Sequence, residues 1–281
     1  MVRCSVLIFP TDQTIQPVDL ALAVEERGLD ALFLPEHTHI PVGSSSPFMP
    51  KGVVPEFYKR TYDPFVALAA CAAVTERIKL ATGICLITQR SPITLAKEIA
   101  SLDMIANGRV ILGVGAGWNI TEMENHGTQF ETRWRVLRER IMAMKTIWQE
   151  DEPEFHGEYV DFDPMWSYPK PIQNGGPPIW IGANSKWAPD RVAEYADGWM
   201  PIRGRAGGGN IEALKVACER RGRDLSEITL GLFMAPLDES ESHVCIAEGY
   251  DELIYNVAPE NHDSVLRQLD QIAVLANKLR T

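Results

Sequence analysis

A chain of 281 residues with 45% apolar side chains and a formal charge of −11 is of a size for one α/β barrel. The acidic balance argues against a nucleic-acid partner, which needs clustered cations, and no apolar run is long enough to cross a bilayer. Five scattered cysteines without a CxxC pair (Cys4, Cys71, Cys85, Cys218, Cys245) fit a reduced cytoplasmic protein with no structural metal.

In chain order, Met1-Val2-Arg3 runs straight into a strand over 4–9, so no secretory signal is expected. A helix over 19–27 stops at Gly28, and a second strand, 31–34, leads into Pro35-Glu36-His37-Thr38-His39. Residues 40–63 are rich in proline, glycine and serine; a connection that long in a compact domain reads as a lid over a pocket. A helix over 64–74 precedes a strand over 78–82 that breaks at Gly83. The next helix carries Leu95, Ile99, Leu102 and Ile105 on one face, with Ser91 as N-cap, Pro92 at its start and Asn107-Gly108 as a left-handed stop.

A strand over 109–113 then enters the glycine mouth Val114-Gly115-Ala116-Gly117-Trp118, and 120–130 reads as irregular and polar. The helix over 131–148 sets an apolar stripe (Trp134, Leu137, Ile141, Met144, Trp148) between arginines expected to be solvated. Residues 151–178 read as an insertion with a small hairpin. Strands over 178–182, 198–201, 228–233 and 252–257 alternate with helices over 186–196, 210–221, 239–248 and 261–280, and 203–209 is glycine-rich. Eight strands alternating with helices predict a single-domain (β/α)8 TIM barrel over 1–281, with a doubly wound open sheet as the alternative.

Barrel chemistry sits on the loops that follow the strands. Glu36, His37 and His39 follow the second strand, and a histidine beside a carboxylate suits proton transfer. The HxH pair also suits a metal, but a catalytic metal needs at least three protein ligands. His126, His156, His243 and His262 end no strand, so no metal site is assigned. Gly83-Ile84-Cys85 allows close backbone approach to a flat ligand. Gly113, Gly115 and Gly117 lie too close to the strand for a full dinucleotide fingerprint; alone, this spacing is weak evidence for a ligand against a tight barrel corner. Gly182-Ala183-Asn184-Ser185 joins a strand to a helix amino end, where unpaired amides attract phosphate. Trp118 and Trp199, read as facing one mouth, favour an aromatic cofactor or substrate, whereas Met200, Phe233 and Met234 are read as barrel filling.

Together these residues resemble the luciferase-like monooxygenase superfamily of flavin- and deazaflavin-dependent (β/α)8 enzymes. The marks are GLDALFLPEHTHIP, ERIKLATGICL, SPITLAKEIASLD, GRVILGVGAGWN, PKPIQ…PPIWIGA and ADGWMP, between residues 20 and 201. PEHTHIP and YDPFVALAACAAVTERI look most like the branch that uses coenzyme F420, a 5-deazaflavin. The resemblance implies a cis peptide at Gly83-Ile84 backing the ring, and a catalytic pair Glu36-His37 with His37 over the reactive ring carbon. It implies cofactor phosphate on the amides of Gly182, Ala183 and Asn184, helped by Gly198 and Trp199, and a homodimer. Cys85, Gly115, Gly117 and Trp118 would complete the cofactor side, and His39 and Trp118 the substrate side. Some deazaflavin dehydrogenases of this kind carry a glutamate acid where this chain has Trp118. The expected activity is hydride transfer between F420 and a small organic substrate. The alternatives are an FMN-dependent monooxygenase, a metal-dependent barrel hydrolase and a non-catalytic flavin-binding protein.

Overall fold

A computed structural model describes residues 1–45, 50–205 and 209–281. Residues 46–49 of the expected lid and 206–208 of the glycine-rich segment lie outside the described residues. Eight strands form the barrel: β1 (Arg3–Leu7), β2 (Ala31–Leu34), β3 (Lys79–Thr82), β4 (Val110–Gly115), β5 (Ile179–Ile181), β6 (Gly198–Trp199), β7 (Thr229–Phe233) and β8 (Glu252–Asn256). They pair in parallel in the order β3-β2-β1-β8-β7-β6-β5-β4, and β3 meets β4 again at Leu80↔Val110 and Ala81↔Ile111. The sheet is therefore closed, not open.

Each strand is followed by a helix: α1 (Pro17–Glu26), α2 (Pro64–Ala72), α3 (Pro92–Ile105), α4 (Arg133–Gln149), α5 (Ala188–Tyr195), α6 (Ile211–Glu219), α7 (Glu239–Ala247) and α8 (His262–Arg280). Strand alternation sorts the core into two layers. Leu7, Ala31, Phe33, Ala81, Ile111, Trp180, Met200 and Ile254 fill the barrel, while Val6, Leu32, Leu34, Leu80 and Leu112 face the helices. Met200 fills as expected and Phe233 packs against that layer. Met234 does not: it is 45% exposed on a left-handed backbone just past β7.

The punctuation of α3 is largely as expected. Pro92 stands in its first turn and Asn107-Gly108 turns left-handed, but the Ser91 side chain makes no capping bond. The excursion after α4 carries the antiparallel pair Phe155–His156 and Asp161–Phe162. Three expectations need correction. Residues 120–130 begin with a helix, Ile120–Asn125, which Asn119 caps by accepting from the Glu122 amide. Helix α5 starts at Ala188 after a turn at 186–187, so Gly182 to Ser185 form an irregular stretch clear of its amino end. The α4 arginines are not uniformly solvated: Arg135 and Arg138 are exposed in ion pairs, whereas Arg133 and Arg140 are half-buried.

The base of the barrel is held by two charged residues spent on backbone. Arg109 donates to the carbonyls of Ala72, Thr75, Ile78 and Ala106 and to the Thr75 hydroxyl. The Glu25 carboxylate accepts from the amides of Glu76, Arg77 and Ile78. Burial pushes the Glu25 carboxyl up, but those amides pull it below its ordinary 4.5. A depressed folded value contributes stability above the unfolded value and loses it as pH falls through the folded one. Glu25→Gln is therefore expected to be less stable than the native chain at pH 7. In urea melts across pH the gap should shrink on acidification below 4.5; a gap constant down to pH 3 contradicts this.

Candidate active site

The loops after β2, β3, β4 and β5 meet at one rim, and Glu36 ties two of them together. Its carboxylate is 3% exposed. One oxygen accepts from the Leu86 amide at 2.6 Å and the other from Arg90 Nε at 2.6 Å. Arg90 also bonds Asp63, reaches Glu98 at 3.2 Å and lies over the Phe65 ring. Burial opposes the Arg90 charge, but Glu36 outweighs it and holds the guanidinium protonated. Arg90→Met would leave Glu36 buried without its cation, at an expected cost of about 3 kcal/mol. A urea melt within 1 kcal/mol of the native one would show that the pair does not hold this rim together.

Next to Glu36 in the chain, His37 is 9% exposed, and its Nδ1 lies 2.9 and 3.1 Å from the two oxygens of Glu122. A carboxylate only accepts, so Nδ1 carries a proton. The opposite nitrogen, Nε2, has no hydrogen-bond partner among the described residues. Tyr58 packs on the imidazole at 4.8 Å between centroids, and Trp118 meets it edge-on at 5.7 Å. Tyr58 stacks in turn with Phe9 and Phe57. Tyr58 and Phe57 lie on a short helix, Glu56–Arg60, inside the 40–63 connection, so that segment does reach the rim.

The loop after β3 carries a cis peptide at Gly83-Ile84, as the resemblance implied. The Ile84 side chain lies against two glycines: a Cβ on Gly115 would fall 2.0 Å from Ile84 Cδ1, and one on Gly182 would fall 2.7 Å from Ile84 Cγ2. Gly115 and Gly182 are glycines because Ile84 occupies the space their side chains would need.

With this geometry in hand, a sequence model of the luciferase-like monooxygenase family matches residues 12–269. The chain belongs to that family. It is 42% identical over 202 residues to an uncharacterized protein of Mycobacterium tuberculosis, covering 69% of this chain and 70% of that one. It is 32% identical to an F420-dependent glucose-6-phosphate dehydrogenase of Nocardia farcinica (69% of this chain, 52% of that one). It is also 32% identical to an FMNH2-dependent dimethylsulfone monooxygenase of Pseudomonas putida (52% and 39%). The fold matches that of monooxygenase RslO1 from Streptomyces bottropensis with a TM-score of 0.79, at 18% identity, over 99% of this chain and all of that one. Family relatives thus include both F420- and FMNH2-dependent enzymes, oxidoreductases and monooxygenases alike.

In this luciferase-like barrel the expected site residues divide sharply. Glu36, His37, Ile84 and Trp118 converge at the rim. Gly117 turns left-handed beside Met123, which shapes the entry to the Ile120–Asn125 helix. His39 lies outward, hydrogen-bonded to Thr38 and Asn125, with its ring 5.5 Å from that of His126. Burial, with His39 nearby, lowers the His126 value. Two expectations fail. Trp199 does not share a mouth with Trp118: it is fully buried between barrel and helices, and its indole N–H donates to the Ala183 carbonyl. The Gly182 amide cannot serve a phosphate, because it donates to Val114 at 2.9 Å as the last rung of the β5 ladder.

The neighbouring residues hold their loops by other means. Cys85 is fully buried in the outer core, and burial, then Glu36, pushes its thiol well up. Gly198 makes room for the Trp180 ring. The Asn184 side chain clasps Ile202 through both its carbonyl and its amide. The amides of Ala183 and Asn184 themselves have no hydrogen-bond partner among the described residues. Glu122 and Tyr58 escaped sequence reading, and His126 was weighed only as a metal ligand. The Asn119-x-x-Glu122 spacing was the available sign for Glu122, since it marks a helix start.

Proposed function

We propose that the chain is a coenzyme F420-dependent oxidoreductase that exchanges hydride with a small organic substrate. The His37–Glu122 dyad carries this reading. A buried imidazole has one nitrogen fixed by a carboxylate and the other unpaired among the described residues at an aromatic rim, an arrangement suited to moving one proton alongside a hydride. The residues fit a tricyclic cofactor with a phosphate. Ile84 presents a supported apolar face, and Ala183 and Asn184 offer amides unpaired among the described residues, next to the turn before α5. When bound, the deazaflavin supplies the hydride chemistry.

The chain's own residues do the rest. Glu122 holds the Nδ1 proton and orients the ring, so that Nε2 gives a proton to, or takes one from, the substrate oxygen. Glu36, spent on Leu86 and Arg90, acts as a positioning residue for the 83–90 loop. Tyr58 and Trp118 keep water from the imidazole. The proposal includes a homodimer, which light scattering tests.

A second reading, an FMN-dependent monooxygenase, is favoured by the Pseudomonas relative. Parallel fluorescence titrations with F420 and FMN separate the two. F420 is expected to bind saturably and more tightly. Tight FMN binding with no F420 binding would overturn the proposal.

A further inference from the structure

Directly outside the His37–Glu122 dyad lies a second set of bonds. Thr38 and His39 follow His37 in the chain, and Asn125 and His126 end the short helix that carries Glu122. The Asn125 side-chain nitrogen, which only donates, lies 2.9 Å from His39 Nε2. That ring nitrogen therefore accepts, and His39 carries its proton on Nδ1, 3.0 Å from the Thr38 hydroxyl. Having accepted there, the hydroxyl gives its own proton to His126 Nε2 at 2.8 Å in preference to Gln89 Oε1 at 3.5 Å. The series is complete only while both rings are neutral.

Among the described residues, these bonds and the dyad itself are the only hydrogen bonds that join residues 35–39 to residues 119–126. Glu122 stands three residues before Asn125, on the same side of the helix. Thr38, Asn125 and His126 are exposed, whereas His37 and Glu122 are buried, so protons from water reach the outer set freely. A proton on His39 Nε2 would point at the Asn125 nitrogen, donor against donor. With both rings charged, two cations would stand 5.5 Å apart between centroids. The groups around His126 divide: Glu122 and Glu36 favour its proton, while His39 and Arg90 oppose it. Burial, the largest cause, tips it below the ordinary 6.5. A histidine lowered in this way stabilises the closed arrangement above 6.5 and ceases to do so as pH falls towards its folded value.

We infer that Thr38, His39 and His126 are positioning residues that clasp His37 to Glu122 while both outer histidines are neutral, and that acid opens the clasp. Opening releases the end of the helix and lets the Glu122 carboxylate draw back from Nδ1, which switches off proton transfer at the rim. The inference rests on the proton-transfer role given to the dyad above.

The test is side-chain NMR of the full-length, cofactor-free chain with isotope-labelled histidine, following the Nδ1 proton that His37 shares with Glu122. Between about pH 8 and about pH 5.5, His39 and His126 are expected to pass from the Nδ1-protonated neutral form to the charged form. Over the same step, exchange of the His37 proton with water should speed up about tenfold. His39→Gln with His126→Gln, whose amides take up no proton, should keep exchange slow at both ends of the range. Thr38→Val, which cuts the bonds to both rings, should exchange fast at both ends, and Thr38→Ser should behave as the native chain. A native His37 signal that ignores the titration of the outer pair overturns the inference. So does an acid step that persists undiminished in the double glutamine variant, or a Thr38→Val chain with native exchange. The signals are read without cofactor, so a failure of the deazaflavin reading cannot imitate any of these results.

Discussion

Gly113→Ala is expected to unfold the barrel or to cost at least about 4 kcal/mol in urea melts. A methyl group there would fall 2.0 Å from the Thr82 carbonyl oxygen and 2.7 Å from Met200 Cε. The Thr82 oxygen is backbone, so no rotamer change relieves the contact. The same crossing is fixed from the other side, where the Thr82 hydroxyl donates to the Gly113 carbonyl at 2.7 Å. Only a bare Cα at 113 lets the end of β3 lean over β4 and carry the chain into Gly83-Ile84. Gly115→Ala is the informative contrast, because its clash at 2.0 Å is with Cδ1, the far end of the Ile84 side chain. It should cost about 1–3 kcal/mol. Ile84→Val, which deletes that one atom, should recover most of the loss in the double variant. If Gly113→Ala melts like the native chain, or Ile84→Val fails to rescue Gly115→Ala, the rim is not packed as described.

Which parts of this arrangement a single sequence shows follows from the range of the forces involved. Strand and helix order was legible because periodicity and punctuation are local: the apolar face of α3 and the Asn107-Gly108 stop need no knowledge of the rest of the chain. The converging loops were legible because a parallel barrel places every strand end on one face. Side-chain direction at those ends was also recoverable, although the reading of Trp199 missed it. Met200 points into the barrel, so alternation sends Trp199 outward.

Long-range pairing was not legible. Nothing near Glu36 announces that its partners are Leu86 and Arg90, some fifty residues on, and so a carboxylate spent on structure read as a catalytic one. The reason for Gly115 and Gly182 was hidden in the same way, because the side chain that needs their space belongs to a third loop. Glu122 was missed for a different cause. The segment holding it looked irregular, and once 120–130 was set aside no acid remained to replace the glutamate absent at Trp118. The fold supplies one from the next turn, 85 residues from the histidine it holds.

That substitution sets the second large expectation. His37→Ala should lower kcat for hydride transfer about 100- to 10,000-fold, the range for loss of a positioned acid–base group. F420 affinity should change only a few-fold, because in the proposed reaction His37 moves a proton and does not anchor the cofactor. Imidazole added to the medium should restore part of the rate, since the vacated site stays walled by Tyr58 and Trp118. Glu122→Gln should fall between the native chain and His37→Ala: its amide oxygen still accepts from Nδ1, but the charge that fixes the proton there is gone. Glu122→Ala should approach His37→Ala, and combining the two should add little, because residues acting as one unit are not additive. The decisive measurement is this cycle in single-turnover kinetics with saturating cofactor. Fully additive losses, or a His37→Ala variant with native kcat, would remove the dyad from the reaction and leave Glu122 as a helix-end brace. Unchanged cofactor binding in the same variants would show that the rim had kept its shape, so that the missing rate is a missing proton and not a misplaced ring.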